Sequence, residues 1–165
     1  MGEDLELPER DAIRTPMQWS SEANGGFSSA SAAKLIRPVI DTGEYRYERV
    51  NVAAQRLESD SLLNWMERAI RMRKESPEFG WGELQFLETD HPSVLAHAST
   101  WRGRTVIAIH NFSRASCAVN VTWPSGTEEV LHLFGRNIRD PQPGSSSIVD
   151  LDGYDYRWLR VRGSA

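Results

Sequence analysis

The second half of the chain is a succession of short strand-like segments, and this pattern limits the fold more than any other feature. Seven segments rich in β-branched, aromatic and alternating residues follow one another: Glu83–Glu88, Val94–Trp101, Thr105–Asn111, Cys117–Trp123, Glu129–Phe134, Ser147–Leu151 and Tyr156–Arg162. Turn-forming stretches such as Pro124-Ser125-Gly126 separate them. Short strands at this spacing are typical of an antiparallel sandwich.

Two of these segments also carry information about their place in a sheet. The run 106–109 is apolar at every position and predicts a central strand. Arg157, Arg160 and Arg162 are spread along the last segment, which predicts an edge or a solvated face there.

One amphipathic helix is predicted before the strands, over residues 60–76. Its apolar residues recur at three- and four-residue steps and form one stripe: Leu62, Leu63, Met66, Ala69 and Ile70. Asp60 or Ser61 can cap the first turn, and Pro77 ends the helix. Because a single helix cannot bury its apolar face alone, this one needs another surface on which to pack.

Residues 1–58 show little periodicity and predict no regular element. They contain several prolines, the pair Gly25-Gly26 and a Ser/Ala-rich run. A loop of this length is unusual within a compact domain, so the segment is either disordered or lies over a larger structure. Its many apolar and aromatic residues argue against simple disorder.

Composition excludes several classes of function. The chain has 19 basic and 23 acidic residues, which argues against a nucleic-acid partner. No apolar run approaches the ~20 residues of a membrane span, and no signal peptide is apparent. Cys117 is the only cysteine, so no internal disulfide is possible and we expect a cytoplasmic protein. At 165 residues the chain is too short for a complete (β/α)8 barrel, which takes about 250.

Motifs for a cofactor or a metal are also missing from the sequence. There is no glycine-rich phosphate loop, no paired-histidine zinc motif and no cysteine cluster. The acidic stretch Asp150–Asp155 lacks the remainder of a calcium loop and predicts a turn. We therefore expect neither a cofactor nor a metal.

One segment is more specific than the rest. Arg14-Thr15-Pro16-Met17-Gln18-Trp19 resembles the segment that follows the eighth barrel strand in glycoside hydrolase family 13, the α-amylase family. The runs 50–55, 60–66 and 71–74 look like that family's eighth barrel helix. The runs 93–97, 106–111 and 153–158 resemble its C-terminal β domain. These matches occur in the family's order along essentially the whole chain. The sequences of the motifs are most similar to those of trehalose synthases and α-glucosidases.

The resemblance implies an α+β chain made of two parts. Residues 1–78 would be the last loop and helix of a (β/α)8 barrel, and residues 79–165 an all-β antiparallel C-terminal sandwich. The function implied is that of an α-glucoside-acting enzyme, either interconverting maltose and trehalose or hydrolysing α-glucosides. A retaining glycosidase needs two carboxylates about 5 Å apart, and the segments that carry them in the family do not appear here. The resemblance therefore predicts no catalytic residue in this chain, which we expect to be inactive without an N-terminal barrel portion.

Two arginines are the substrate-binding residues that the resemblance implies. Arg10 stands where family members place an arginine that recognises the non-reducing glucose, and Arg14 matches the motif arginine near the entrance side of the bound sugar. A guanidinium suits both tasks because its rigid fork can bond a carboxylate and a hydroxyl together. Gln18 and Trp19 are predicted to anchor the loop.

Two alternatives remain open at this point. The strands could form a stand-alone carbohydrate-binding or interaction module, which a row of exposed tryptophans on one sheet face would favour. The chain could instead be a split product that needs a partner chain, because the helix stripe would otherwise expose an apolar strip.

Overall fold

The computed structural model describes residues 14–135 and 146–163, which are mainly antiparallel sheet with a few helices. The helices are α1 (Val52–Leu57), α2 (Leu62–Glu75) and α3 (Glu78–Trp81). The strands are β1 (Glu83–Leu87), β2 (Val94–Trp101), β3 (Arg104–Asn111), β4 (Cys117–Thr122), β5 (Thr127–Gly135), β6 (Ser146–Leu151) and β7 (Tyr156–Gly163). The chain divides into two compact units, residues 1–68 and 69–165. Within residues 14–135 and 146–163, no helix has the length and apolar character needed to cross a membrane.

The first unit is largely irregular chain with short helical turns. Two 3-10 turns occupy Ala23–Gly26 and Ala32–Lys34, and α1 follows. The lack of periodicity over residues 1–58 did not indicate α1, whereas the resemblance of residues 50–55 to a barrel helix did. Asn51 caps this helix, since its side-chain oxygen accepts a hydrogen bond of 2.8 Å from the amide of Ala54. Six residues are too few to display a helical period, which is why the pattern missed the helix.

Helix α2 confirms the predicted amphipathic helix. Ser61 caps it by accepting a hydrogen bond from the amide of Asn64 at 3.2 Å. The helix ends at Glu75, two residues before Pro77, as the restriction on the residue before a proline predicts. Its stripe is exposed at Leu62, Met66 and Ile70, by 68%, 44% and 48%. The helix thus shows the apolar strip that the sequence predicts in the absence of a covering surface.

All seven predicted strands lie in the second unit, and every pairing is antiparallel. Five strands form one sheet in the order β1-β2-β3-β7-β5, and β4 pairs with β6 in a second sheet. Side chains from both sheets share one buried cluster, which includes Ile107, Ile109, Val119, Leu151 and Leu159. Strands β4, β6 and β7 alternate and point their buried apolar residues into this core, whereas β3 is buried on both faces and β1 exposes Leu84 and Phe86.

The arginine-bearing last strand is not at an edge. β7 lies between β3 and β5, while β3 is central as predicted. Arg157 is only 5% exposed and pairs with Asp155 at 3.3 Å. The expectation of an edge or solvated face is therefore wrong for most of this strand. The arginine pattern misled because the two least exposed arginines, Arg157 and Arg160, are compensated by the carboxylates of Asp155 and Glu78, which sequence spacing does not reveal.

Helix α3 covers part of the other face of the five-stranded sheet. The ring of Phe79 lies 4.9 Å from that of Trp158 and 6.3 Å from that of His97. Glu78 is fully buried and forms an ion pair with Arg160, whose Nε lies 3.4 Å from Oε1 of the carboxylate. Aromatic packing and a buried charge pair together fasten this short helix to the sheet.

Candidate functional site

An open cleft of about 460 Å³ lies in the first unit, beside the start of the described chain. One wall is formed by residues 14–17, the first four residues of the Arg14–Trp19 motif. A second wall consists of Phe27, Ser28, Ala30 and residues 34–37. The volume falls within the range of small-molecule sites, roughly 300–1,000 Å³.

The lining of this cleft combines cations with apolar side chains. Arg14, Lys34 and Arg37 supply positive charge, and no carboxylate is present among its described lining residues. Met17 and Phe27 are about half exposed, by 50% and 51%, and offer apolar contact area. Such a cleft can hold a ligand that has one apolar face together with hydrogen-bond acceptors or a negative charge.

Gln18 ties the first wall of the cleft to the start of α1. Its Nε2 donates to the carbonyl of Tyr45 at 3.0 Å and also to that of Val50. Its own carbonyl accepts from the amide of Val52 at 2.9 Å, and the carbonyl of Trp19 accepts from Ala53 at 3.0 Å. These contacts confirm the predicted anchoring role of Gln18, while the Trp19 side chain stays half exposed.

Asn24 organises the second wall and was missed at the sequence level. Its backbone is left-handed, with φ of 56°, and its side chain is buried. Its Nδ2 donates to the carbonyls of Ser28 at 2.8 Å and Ala30 at 2.7 Å, and both of these residues line the cleft. The signal was present in the run Asn24-Gly25-Gly26, because asparagine and glycine are the residues that favour positive φ.

The glycines complete this turn by permitting close approach. Gly25 and Gly26 also have positive φ, of 66° and 68°. A Cβ on Gly26 would lie 2.5 Å from Oγ of Ser20. The carbonyl of Gly25 accepts from the amides of Trp19 at 2.8 Å and Ser20 at 3.0 Å, so the turn joins both walls of the cleft.

Of the two predicted substrate-binding residues, Arg14 is exposed at the cleft. Arg10 falls outside the described residues. Among residues 14–135 and 146–163, no three His, Cys, Asp or Glu side chains are close enough to hold a metal ion.

The tryptophans of the strands do not form a sugar-binding platform. Trp123 is buried, and its indole nitrogen donates to Oγ of Ser147 at 3.0 Å. Trp101 is half buried beneath the guanidinium of Arg102, whose carbon lies 4.4 Å from the ring centre. Trp158 is half buried and packs on Phe79. This distribution counts against a stand-alone carbohydrate-binding module.

A second cavity, of about 300 Å³, lies at the ends of β4 and β6 and is polar. It is lined by Cys117, Asp150 and Arg157, among others. Arg157 donates to the carbonyl of Asp150 at 3.0 Å in addition to its ion pair with Asp155. Burial and the charge of Asp90 raise the pKa of the Cys117 thiol, which makes it a poor nucleophile at neutral pH.

The comparisons with known proteins match this chain to one family. The family described as "Alpha amylase, catalytic domain" matches residues 1–82. A trehalose synthase/amylase from Mycobacterium tuberculosis is 32% identical over 98% of this chain and 28% of its own length. The corresponding protein of Mycolicibacterium smegmatis is 41% identical over 98% of this chain and 29% of its own length. An oligo-1,6-glucosidase from Saccharomyces cerevisiae is 30% identical over 89% of this chain and 24% of its own length.

Solved structures agree on the fold. Isomaltulose synthase from a Klebsiella species covers 96% of this chain with a TM-score of 0.69 at 23% identity, over 27% of its own chain. The isomaltulose synthase of Erwinia rhapontici covers 93% with a TM-score of 0.70 at 22% identity, over 26% of its own chain. The chain therefore spans between 24% and 29% of the length of these relatives.

Proposed function

The chain belongs to the α-amylase family, glycoside hydrolase family 13, and we propose that it forms part of the sugar site of an α-glucoside-acting enzyme. The observation that carries this proposal is the placement of Arg14 at a cleft built within the family-matched residues 1–82. The similarity to trehalose synthases favours the interconversion of maltose and trehalose. Hydrolysis of α-glucosides is the alternative reaction.

The proposed architecture follows the family. Residues 1–78 are the last loop and helix of the barrel, and residues 79–165 are the C-terminal sandwich. The exposed strip of Leu62, Met66 and Ile70 supports the first part, because such a strip is stable when another surface covers it. The buried cluster shared by the two sheets supports the second.

The proposed mechanism assigns binding, and no bond-breaking, to this chain. Arg14 and Arg10 hold sugar hydroxyls through charge-assisted hydrogen bonds, which orient the glucoside. The carboxylates of a retaining double displacement lie elsewhere in the whole enzyme. As the single cysteine favours a reducing compartment, we place this activity in the cytoplasm.

The test is sugar binding by the 165-residue chain, followed by NMR chemical shifts during a maltose titration. We expect shifts at residues 14–17 and 27–37, and Arg14→Gln should weaken affinity about tenfold through loss of a charge-assisted hydrogen bond. Arg49→Gln removes an exposed arginine of the same unit that does not line the cleft, and should leave the affinity unchanged. The chain alone should not turn over maltose.

Two outcomes would contradict the proposal. Shifts confined to the strands would favour a carbohydrate-binding module instead. Turnover of maltose by the purified chain would show that it carries its own catalytic carboxylates.

A further inference from the structure

Helix α3 packs on a group of rings on the face of the five-stranded sheet that lies away from the shared core. Strand register places His97 and Trp158 on either side of Ala108, so these three side chains are neighbours on this face. The ring centre of Phe79 in α3 lies 4.9 Å from that of Trp158 and 6.3 Å from that of His97. His110 is two residues along β3 from Ala108, and its ring is nearly parallel to that of His97 at 6.5 Å. Two histidine rings therefore lie side by side where α3 meets the sheet.

The surroundings of these two rings favour their neutral form. Nδ1 of His97 is buried with no hydrogen-bond partner in the described part of the chain. Burial lowers the pKa of His97, and burial together with the charge of His97 lowers the pKa of His110. The elements packed around the pair contribute Glu78 from α3 and Tyr156 and Arg160 from β7, while β1 presents apolar side chains. Glu78 and Arg160 pair with each other at 3.4 Å, so the negative charge of α3 on this face is already balanced.

Helix α3 is the element that can leave this contact at least cost. The histidines lie in β2 and β3, which have hydrogen-bonded neighbours on both sides, so moving either strand would break a ladder. Helix α3 has four residues and lies between Pro77 and Gly82. A helix of this length is not stable in water by itself, so it loses its internal hydrogen bonds once it leaves the sheet.

We propose that α3 is a pH-sensitive cover, which detaches from the sheet when His97 and His110 take up protons and thereby exposes the aromatic face around Trp158. Water reaches the rings once α3 has moved, so the detached state binds protons more strongly. The attachment of α3 is therefore independent of pH above the ordinary value of 6.5 and weakens as pH falls below it. The equilibrium constant for opening can rise up to about tenfold per pH unit for each histidine. All of these residues lie in the second unit, so the inference is independent of the proposed sugar site.

Amide hydrogen exchange in the 165-residue chain, corrected for intrinsic rates, measures this opening at about pH 5.5 and about pH 7.5. The amides of Trp81 and Gly82 donate at 2.9 Å to carbonyls at the start of α3, so they report on its attachment. We expect their opening constant to be at least about tenfold larger at the lower pH. At both pH values it should also exceed that of Ile107, in the core, by at least about tenfold. The double variant His97→Gln with His110→Gln should remove the pH dependence at α3.

NMR titration of the histidine rings is a second test that does not need the double variant to fold. Phe79→Ala removes the α3 ring that packs on His97, so the pKa of His97 should rise towards 6.5 in this variant. Phe112→Ala is the matched control, because it removes an exposed ring beside His110 that does not belong to α3. It should leave the pKa of His97 unchanged.

Four results would overturn the inference. Opening of α3 that does not vary with pH would show that the histidines take up protons without moving it. Equal opening constants at Trp81 and Ile107 would show that α3 opens only when the whole unit unfolds. A pH dependence that persists in the double variant would assign the effect to other groups, such as Glu78 and Arg160. An unchanged pKa of His97 in Phe79→Ala would show that α3 does not shield this ring.

Discussion

At the scale of single residues, side-chain amides replace secondary structure in the irregular parts of the chain. Asn24 donates to two carbonyls, and Asn51 donates to the carbonyl of Tyr47 at 2.9 Å while capping α1. Asn111 donates to the carbonyls of Ala115 at 2.8 Å and Asp152 at 2.9 Å. An amide has two donor hydrogens, so each residue satisfies backbone groups that no ladder reaches.

Asn24→Gly tests this role at the cleft. Glycine keeps the left-handed backbone and removes both side-chain hydrogen bonds, each worth about 0.5–1.5 kcal/mol. We therefore expect amide hydrogen exchange over residues 27–34 to become about tenfold faster, while exchange in the β3 core stays unchanged. Ser29→Gly is the control, because it adds a glycine to the same loop without removing the clamp. Equal exchange rates in the two variants would show that Asn24 does not hold this wall.

At the scale of elements, a buried ion pair fastens α3 to β7. Glu78 is fully buried, and Arg160 also donates to Oγ of Ser76 at 3.1 Å. Glu78→Ala leaves the guanidinium beside an empty, poorly solvated space, so we expect the free energy of unfolding to fall by about 3–5 kcal/mol. Denaturant unfolding followed by tryptophan fluorescence measures this loss. The double variant Glu78→Met with Arg160→Met should recover most of it, because no unpaired charge remains.

The surface offers a matched control for that pair. Arg162 and Glu129 also approach to 3.4 Å, but their side chains are 61% and 50% exposed. Solvent screening should limit the effect of Glu129→Ala to less than about 1 kcal/mol. If Glu78→Ala were no more costly than Glu129→Ala, the buried pair would not be what holds α3 in place.

Helices and strands were predictable from the sequence where they are long enough to show a repeating pattern of apolar residues. The seven strands are five or more residues long and carry alternating or continuous apolar patterns, and α2 spans nearly four turns, so both kinds of element are visible. Helices α1 and α3 contain six and four residues and show no period. The interior position of β7 depends on which strands pair, and its arginines are balanced by residues distant in sequence or in a neighbouring turn. Pairing of that kind is a tertiary property.

At the scale of the whole molecule, the candidate site was only partly predictable. The motif around Arg14 identifies one wall, because its residue order is specific to a family. The second wall, with Phe27 and Lys34, is placed by the left-handed turn at Asn24, and no motif marks those residues as lining a cleft. A family resemblance therefore identifies residues that line the cleft within a shared segment. It does not identify the residues of the second wall, which the local fold brings to the cleft.

The histidines of the five-stranded sheet couple the stability of the second unit to pH. His97 and His110 lie on the face that α3 partly covers, with ring centres 6.5 Å apart. Burial lowers the pKa of His97, and burial together with the charge of His97 lowers the pKa of His110. Nδ1 of His97 is buried with no hydrogen-bond partner in the described structure, so nothing there compensates a proton.

The unfolded chain therefore binds protons at these histidines more strongly than the folded chain does. The free energy of unfolding should be constant above the unfolded value of 6.5 and should fall as pH decreases below it. The slope can reach about 1.4 kcal/mol per pH unit for each histidine. Denaturant unfolding between about pH 5 and pH 8 measures it. His97→Gln with His110→Gln should flatten the profile over this range. A profile that keeps its slope in the double variant would assign the pH dependence to other groups.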